Sequence, residues 1–209
     1  MPGQSWLAAA ASFVAVWLVM NAAMMLPSLA PMLHRYRSDV GASGDARPGA
    51  QIAQMAAGYL FVWTVAGAAV FPVGAAIVTA GLRLSVVDRV TPVAVGIVVV
   101  IASAIQLSAW KARHLACWRD GPRRDRSSSP NFGAALRDGV RLGVQCVCCS
   151  AGPMAVLLVV GAMDVRVMGL VTAIITVERL AATERVARVI GVFGAALGTL
   201  MVARAAGLV

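Results

Sequence analysis

Long apolar runs separated by short polar connectors dominate the chain, and their lengths set the class of fold. A helix needs about 20 residues to cross a hydrocarbon core about 30 Å thick. Runs of that order fall at about 6–32, 53–81, 91–110, 142–161, 167–182 and 189–203. They predict an all-α, polytopic transmembrane helical bundle: six membrane helices in a single integral membrane domain over residues 1–209. The fourth and fifth runs are separated only by Ala162-Met163-Asp164-Val165-Arg166, which predicts a tight helical hairpin. The fifth is short unless Glu178 and Arg179 sit at an interface, so five crossings is the alternative.

The connectors from Ser38 to Ala50 and from Arg119 to Asn131 are rich in Gly, Ser, Asp, Arg and Pro and too short to be domains. No basic residue precedes the first apolar run and no small-residue cleavage site follows it, so it reads as a retained helix. Composition agrees. With 60% hydrophobic residues, 13% charged residues and a mean hydropathy of +0.82, the chain is too apolar for a soluble domain of this size.

Charge then orients the bundle. If the segment from Lys111 to Arg141 is cytoplasmic, alternation puts the loops carrying Arg35, Arg37 and Arg47, and Arg179, Arg185 and Arg188, on the same side. Of 18 basic residues only Arg83, Arg89, Arg166 and Arg204 remain outside, which predicts that both termini are non-cytoplasmic. The net charge of +9 is accordingly a topology signal and an attraction to the lipid bilayer. Nucleic acid is not an expected partner, because the arginines are dispersed at helix ends without interleaved aromatics.

Three of the four cysteines, Cys146, Cys148 and Cys149, lie within four residues of an apolar run, where a secreted disulfide scaffold is not built. Thiols there point to a soft metal or to close packing, since cysteine is also a small apolar residue and Gly143, Ser150 and Gly152 surround it. On an ideal helix positions 146 and 149 are about 60° apart, while 148 projects about 100° from 149, so the three thiols cannot face one point unaided. Pro153 lacks an amide proton and its ring crowds the carbonyl of residue 149, which predicts a bend at the cysteine turn.

Methionines supply the second element. Met20-Asn21-Ala22-Ala23-Met24-Met25-Leu26-Pro27-Ser28 closes the first run, with Met20 and Met24 on one face. Thioether and thiol together favour Cu(I), a soft ion; zinc is the other candidate. The topology brings Met20, Met24, Met25, Tyr59, Trp63, Gln106, Lys111, His114, Cys117, Cys146, Cys148, Cys149 and Glu178 into the cytoplasmic half. An ionisable Glu178 at membrane depth calls for a partner, and Arg179, Lys111 or a bound cation would serve. The expected pocket has the cysteine turn as one wall and the Met20–Met25 turn as the other, with Met24 or Met25 near Cys146 or Cys149.

Ala23-Met24-Met25-Leu26-Pro27-Ser28, Tyr59 with Trp63, Lys111 with Cys117, the cysteine cluster with Met154, Gly161-Ala-Met163-Asp164, and Glu178-Arg179 occur together over nearly the whole chain. In that combination the sequence resembles the bacterial family of predicted metal-binding integral membrane proteins, domain of unknown function 2182. The resemblance implies metal binding in a bacterial cytoplasmic (inner) membrane, with Met24, Met25, Cys148, Cys149 and Glu178 as the residues that carry over most directly, followed by Cys146 and Met154. The spacing here is Cys-x-Cys-Cys where that family often has Cys-x-x-Cys-Cys, and Met154 comes five residues after Cys149.

Catalysis by the chain itself is not expected. Its two histidines, His34 and His114, lie at predicted membrane edges, and no Ser-His-Asp, paired-carboxylate, phosphate-loop or dinucleotide motif occurs. Two classes of function follow: a membrane protein that binds Cu(I) near the cytoplasmic side for handling or delivery to a membrane metalloenzyme, or a metal-free accessory subunit. The latter would use small-residue faces such as Gly194-x-x-x-Gly198 to dock in a larger membrane complex, for example a copper-dependent oxidase or monooxygenase.

Overall fold

A computed structural model of the chain describes residues 5–42, 48–83, 87–120, 132–161, 164–181 and 185–207. Seven helices account for nearly all of them: α1 (Trp6–Ala42), α2 (Pro48–Arg83), α3 (Val87–Leu107), α4 (Ala109–Asp120), α5 (Phe132–Val160), α6 (Val165–Leu180) and α7 (Arg185–Ala205). A helix overlaps each predicted run. Stretches 43–47 and 121–131 of the predicted connectors, and Met163 in the predicted hairpin turn, lie outside the described residues.

Four stretches are long and apolar enough to cross a membrane: Trp6–Pro27, Gly49–Ile77, Gly133–Val160 and Arg185–Ala205. A fifth exists if Pro92–Leu107 and Ala109–Cys117, which meet at an angle of 62°, count as one broken span. The remaining predicted crossing, α6, has 16 residues and is therefore about 24 Å long, less than the hydrocarbon core.

Element ends depart from expectation for identifiable reasons. The α1 helix runs through Pro27 and Pro31 to Ala42 instead of closing near Met32. A proline removes one amide donor from a helix, a loss that packed membrane helices tolerate. At its N-terminal end α5 begins ten residues before the predicted 142, because Arg137, Asp138 and Arg141 hide a helical turn from a hydropathy reading. The same helix passes Pro153 without interruption. The break between α3 and α4 falls at Ser108, whose hydroxyl donates to the Ile105 carbonyl (2.6 Å) and accepts from the Lys111 amide (3.3 Å). That hydroxyl caps the new helix.

The chain forms two compact units, each made of separate stretches. The first comprises residues 1–75 and 118–147, the second 76–117 and 148–209.

In the first unit, small residues let α2 and α5 meet backbone to backbone. A Cβ on Gly139 would fall on the Met55 carbonyl, and one on Gly58 on the Leu136 carbonyl. Ala135, Gly139 and Gly143, at intervals of four, form the matching stripe on α5. Helix α1 joins through aromatics: the Trp17 indole donates to the Trp63 carbonyl (3.2 Å), and Trp17 lies 5.9 Å from Phe13 and 6.1 Å from Trp63 between ring centroids.

In the second unit α3 packs along α7. A Cβ on Gly198 would come within 2.9 Å of the Val100 side chain, and Gly191 and Gly194 lie as tightly against Leu107 and Ser103. The Gly194-x-x-x-Gly198 face is thus packed on α3 within this unit. The α5–α6 turn rests on Gly161, whose φ of +149° suits glycine, and on Asp164, which caps α6 by accepting from the Arg166 amide at 2.8 Å.

Candidate functional site

Helix geometry decides which of the cysteines points inward. Along α5 the buried residues Ala135, Gly139, Leu142, Cys146, Ser150 and Leu157 fall on one face, with Cys146 at its middle. Cys149 lies about 60° to one side of Cys146, and Cys148 about 160° away. Exposure follows the angles: Cys146 and Cys149 are buried and Cys148 is half-buried. Among the described residues no three His, Cys, Asp or Glu side chains gather as a metal-holding group. Three cysteines on one helical turn do not converge, so further soft donors would come from methionine.

In the first unit, α1 buries Trp17, Asn21, Met24 and Met25 within an arc of about 100°. Met25 is 0% exposed and Met24 2%, whereas Met20, on the flank, is half-buried. Met55, Tyr59 and Trp63, spaced by four, form the inner face of α2. The Tyr59 hydroxyl is 3.1 Å from the Cys146 sulfur, joining α2 to the fully buried thiol of α5. Asn21 donates through Nδ2 to the Trp17 carbonyl (2.8 Å), but its Oδ1 and the indole Nε1 of Trp63, both buried, have no hydrogen-bond partner. Buried polar atoms are nearly always satisfied, and an unpaired pair of donor and acceptor is the kind of place where a guest molecule or ion sits.

The second unit holds Cys149, Met154 and Glu178, all buried, in a different chemical setting. Lys111 and Glu178, each with 2% of the side chain exposed, pair at 2.9 Å. Lys111 also donates to Gln106 Oε1 (2.9 Å) and to the Cys149 carbonyl, while Gln106 Nε2 donates to Glu178 Oε1. Both carboxylate oxygens of Glu178 are therefore engaged. Beside Lys111 a cleft of about 40 Å³, lined by Gln106, Ser108, Leu115, Ala187 and Arg188 among others, has room for a water.

The other sequence candidates are half-buried or exposed. Cys117 and His34 are exposed. The His114 ring lies against Trp110, tilted by 40° with ring centroids 4.3 Å apart, and places Nδ1 2.9 Å from the Trp110 carbonyl. Asn21 and the Tyr59–Cys146 contact were not anticipated. The signal was available: Asn21 is one helical turn before Met24 and Met25 and is the only amide in the first apolar run.

Apolar helices of membrane-spanning length, with thiols and thioethers on their buried faces, define an all-helical bundle equipped with soft donors. Such donors suit a soft metal. The chain belongs to the PpoB2 copper chaperone family, whose model matches residues 14–201. No curated protein and no solved structure matches it.

Proposed function

We propose that this chain is an integral membrane protein of the bacterial inner membrane that carries Cu(I) as cargo on buried thioether and thiol donors and delivers it to a membrane metalloenzyme, without catalysis of its own. One observation carries the reading. The thiol at the centre of the α5 face, Cys146, is fully buried in the same unit as the thioethers of Met24 and Met25. A monovalent soft ion loses little on exchanging water for sulfur, and two-fold or three-fold sulfur coordination meets its needs. Family membership supports copper as the ion in preference to zinc, which favours four donors including imidazole or thiolate.

In this reading Met24, Met25 and Cys146 are the candidates of the first unit, and Cys149 and Met154 are separate soft donors of the second. The oxygens of Glu178 are engaged by Lys111 and Gln106, so its part is to balance charge. The outward faces favour a bilayer. Leu7, Val19, Phe61, Ile77 and Phe193 are all more than 60% exposed, a surface stable against lipid and costly in water. Six crossings with both termini non-cytoplasmic belong to the same proposal; the short α6 would complete the sixth with Arg179 and Arg166 at its ends.

Purification in detergent followed by metal analysis tests it. The wild type is expected to hold copper in stoichiometric amount after anaerobic Cu(I) loading, and Cys146→Ser to lose it. A wild type that holds none, or a Cys146→Ser/Cys149→Ser variant that holds as much as the wild type, rejects the proposal.

A further inference from the structure

One bond of the Lys111 network exists because of a proline. In a regular helix the carbonyl of residue 149 accepts from the amide of residue 153, but position 153 is proline and has no amide proton. The Cys149 carbonyl therefore lacks its intrahelical donor. Lys111 supplies one. The same ammonium is held by Gln106 Oε1 and Glu178 Oε2, each at 2.9 Å, so its three protons have three acceptors. Gln106 closes the ring by donating to Glu178 Oε1. Four helices, α3, α4, α5 and α6, each contribute one member, and the Ser108 break is what turns α4 so that Lys111 reaches inward.

We propose that Lys111 is a positioning residue for the cysteine turn: by holding the Cys149 carbonyl that Pro153 leaves open, it fixes the rotation of α5 that keeps the Cys149 thiol buried. This deepens the copper reading, because a carrier needs its donors at fixed angles, but its primary readout needs no metal.

The test is the rate at which N-ethylmaleimide labels Cys149 in a Cys148→Ser background, resolved by peptide mass spectrometry. Lys111→Met/Glu178→Gln removes both charges together and withdraws the Lys111 donor from the Cys149 carbonyl. Cys149 is expected to label about tenfold faster or more, the consequence of withdrawing a charged donor from a buried acceptor. Adding Pro153→Ala restores an amide donor within α5, and labelling is expected to return to within about twofold of the parent. A folded double variant that labels at the parent rate, or a triple variant that does not recover, overturns the proposal. If the double variant does not fold, recovery of folded protein by Pro153→Ala supports it, and failure of both overturns it. Loading the parent with Cu(I) separates the two claims: no bound copper rejects the copper reading and leaves the labelling result to decide the role of Lys111.

Discussion

The two units differ in the charge of the polar groups they bury. In the second, full charges are taken out of water and every proton of the Lys111 ammonium is matched to an acceptor. In the first, the buried polar groups are neutral, soft or aromatic; buried atoms without a hydrogen-bond partner occur in both units, Asn21 Oδ1 and Trp63 Nε1 in the first and Thr176 Oγ1 in the second. A closed charged network resists any change, since removing one member leaves another uncompensated. A neutral cluster with unmatched groups can admit a guest at small cost. In the proposed reading the first candidate donors lie in the first unit, and the charged network of the second holds that unit's own framework.

The sharpest way to break this contrast is to open the charged network on one side only. Glu178→Ala leaves the Lys111 ammonium buried and unpaired, and a loss of about 3–5 kcal/mol is expected in thermal unfolding in detergent, with the double neutral variant Lys111→Met/Glu178→Gln losing less. Equal losses in the two would show that the charges are not the sensitive element. Next comes packing. Gly139→Leu drives a side chain into the Met55 backbone and should cost about 1–3 kcal/mol, read as a lower melting temperature and as slower formation of folded protein.

The first unit should respond in function before stability. Met24→Leu/Met25→Leu conserves volume, so the melting temperature is expected to change by the equivalent of less than about 1.5 kcal/mol per site while bound copper falls severalfold. Copper retained in full would move the site elsewhere. Smallest of all, Trp17→Phe removes the single bond to the Trp63 carbonyl, worth about 1 kcal/mol, and should leave copper content unchanged.

Much of this was legible in the sequence, because apolar length and helical angle need no tertiary information. The runs gave every long helix, and the angles foretold that Cys148 would diverge from Cys146 and Cys149. Lys111 was among the partners foreseen for Glu178, since a carboxylate at membrane depth needs a cation. What escaped was set by contacts between distant segments. The α4 helix is polar on average, so hydropathy does not find it, and its existence depends on the Ser108 cap. The pairing of Tyr59 with Cys146 spans 87 positions and rests on the close approach that Gly58, Gly139 and Gly143 permit. The bond from Lys111 to the Cys149 carbonyl was half visible: Pro153 announced an open acceptor, but not which donor would fill it.

The central claim is that a Cu(I) ion is held by sulfur in the unit that contains Cys146. X-ray absorption at the copper edge, on the purified chain loaded with Cu(I) and on Cys146→Ser, tests it most directly. An all-sulfur first shell that loses a scatterer, or the metal itself, in the variant is the predicted result. A shell of nitrogen and oxygen atoms that is the same in both proteins would contradict the account.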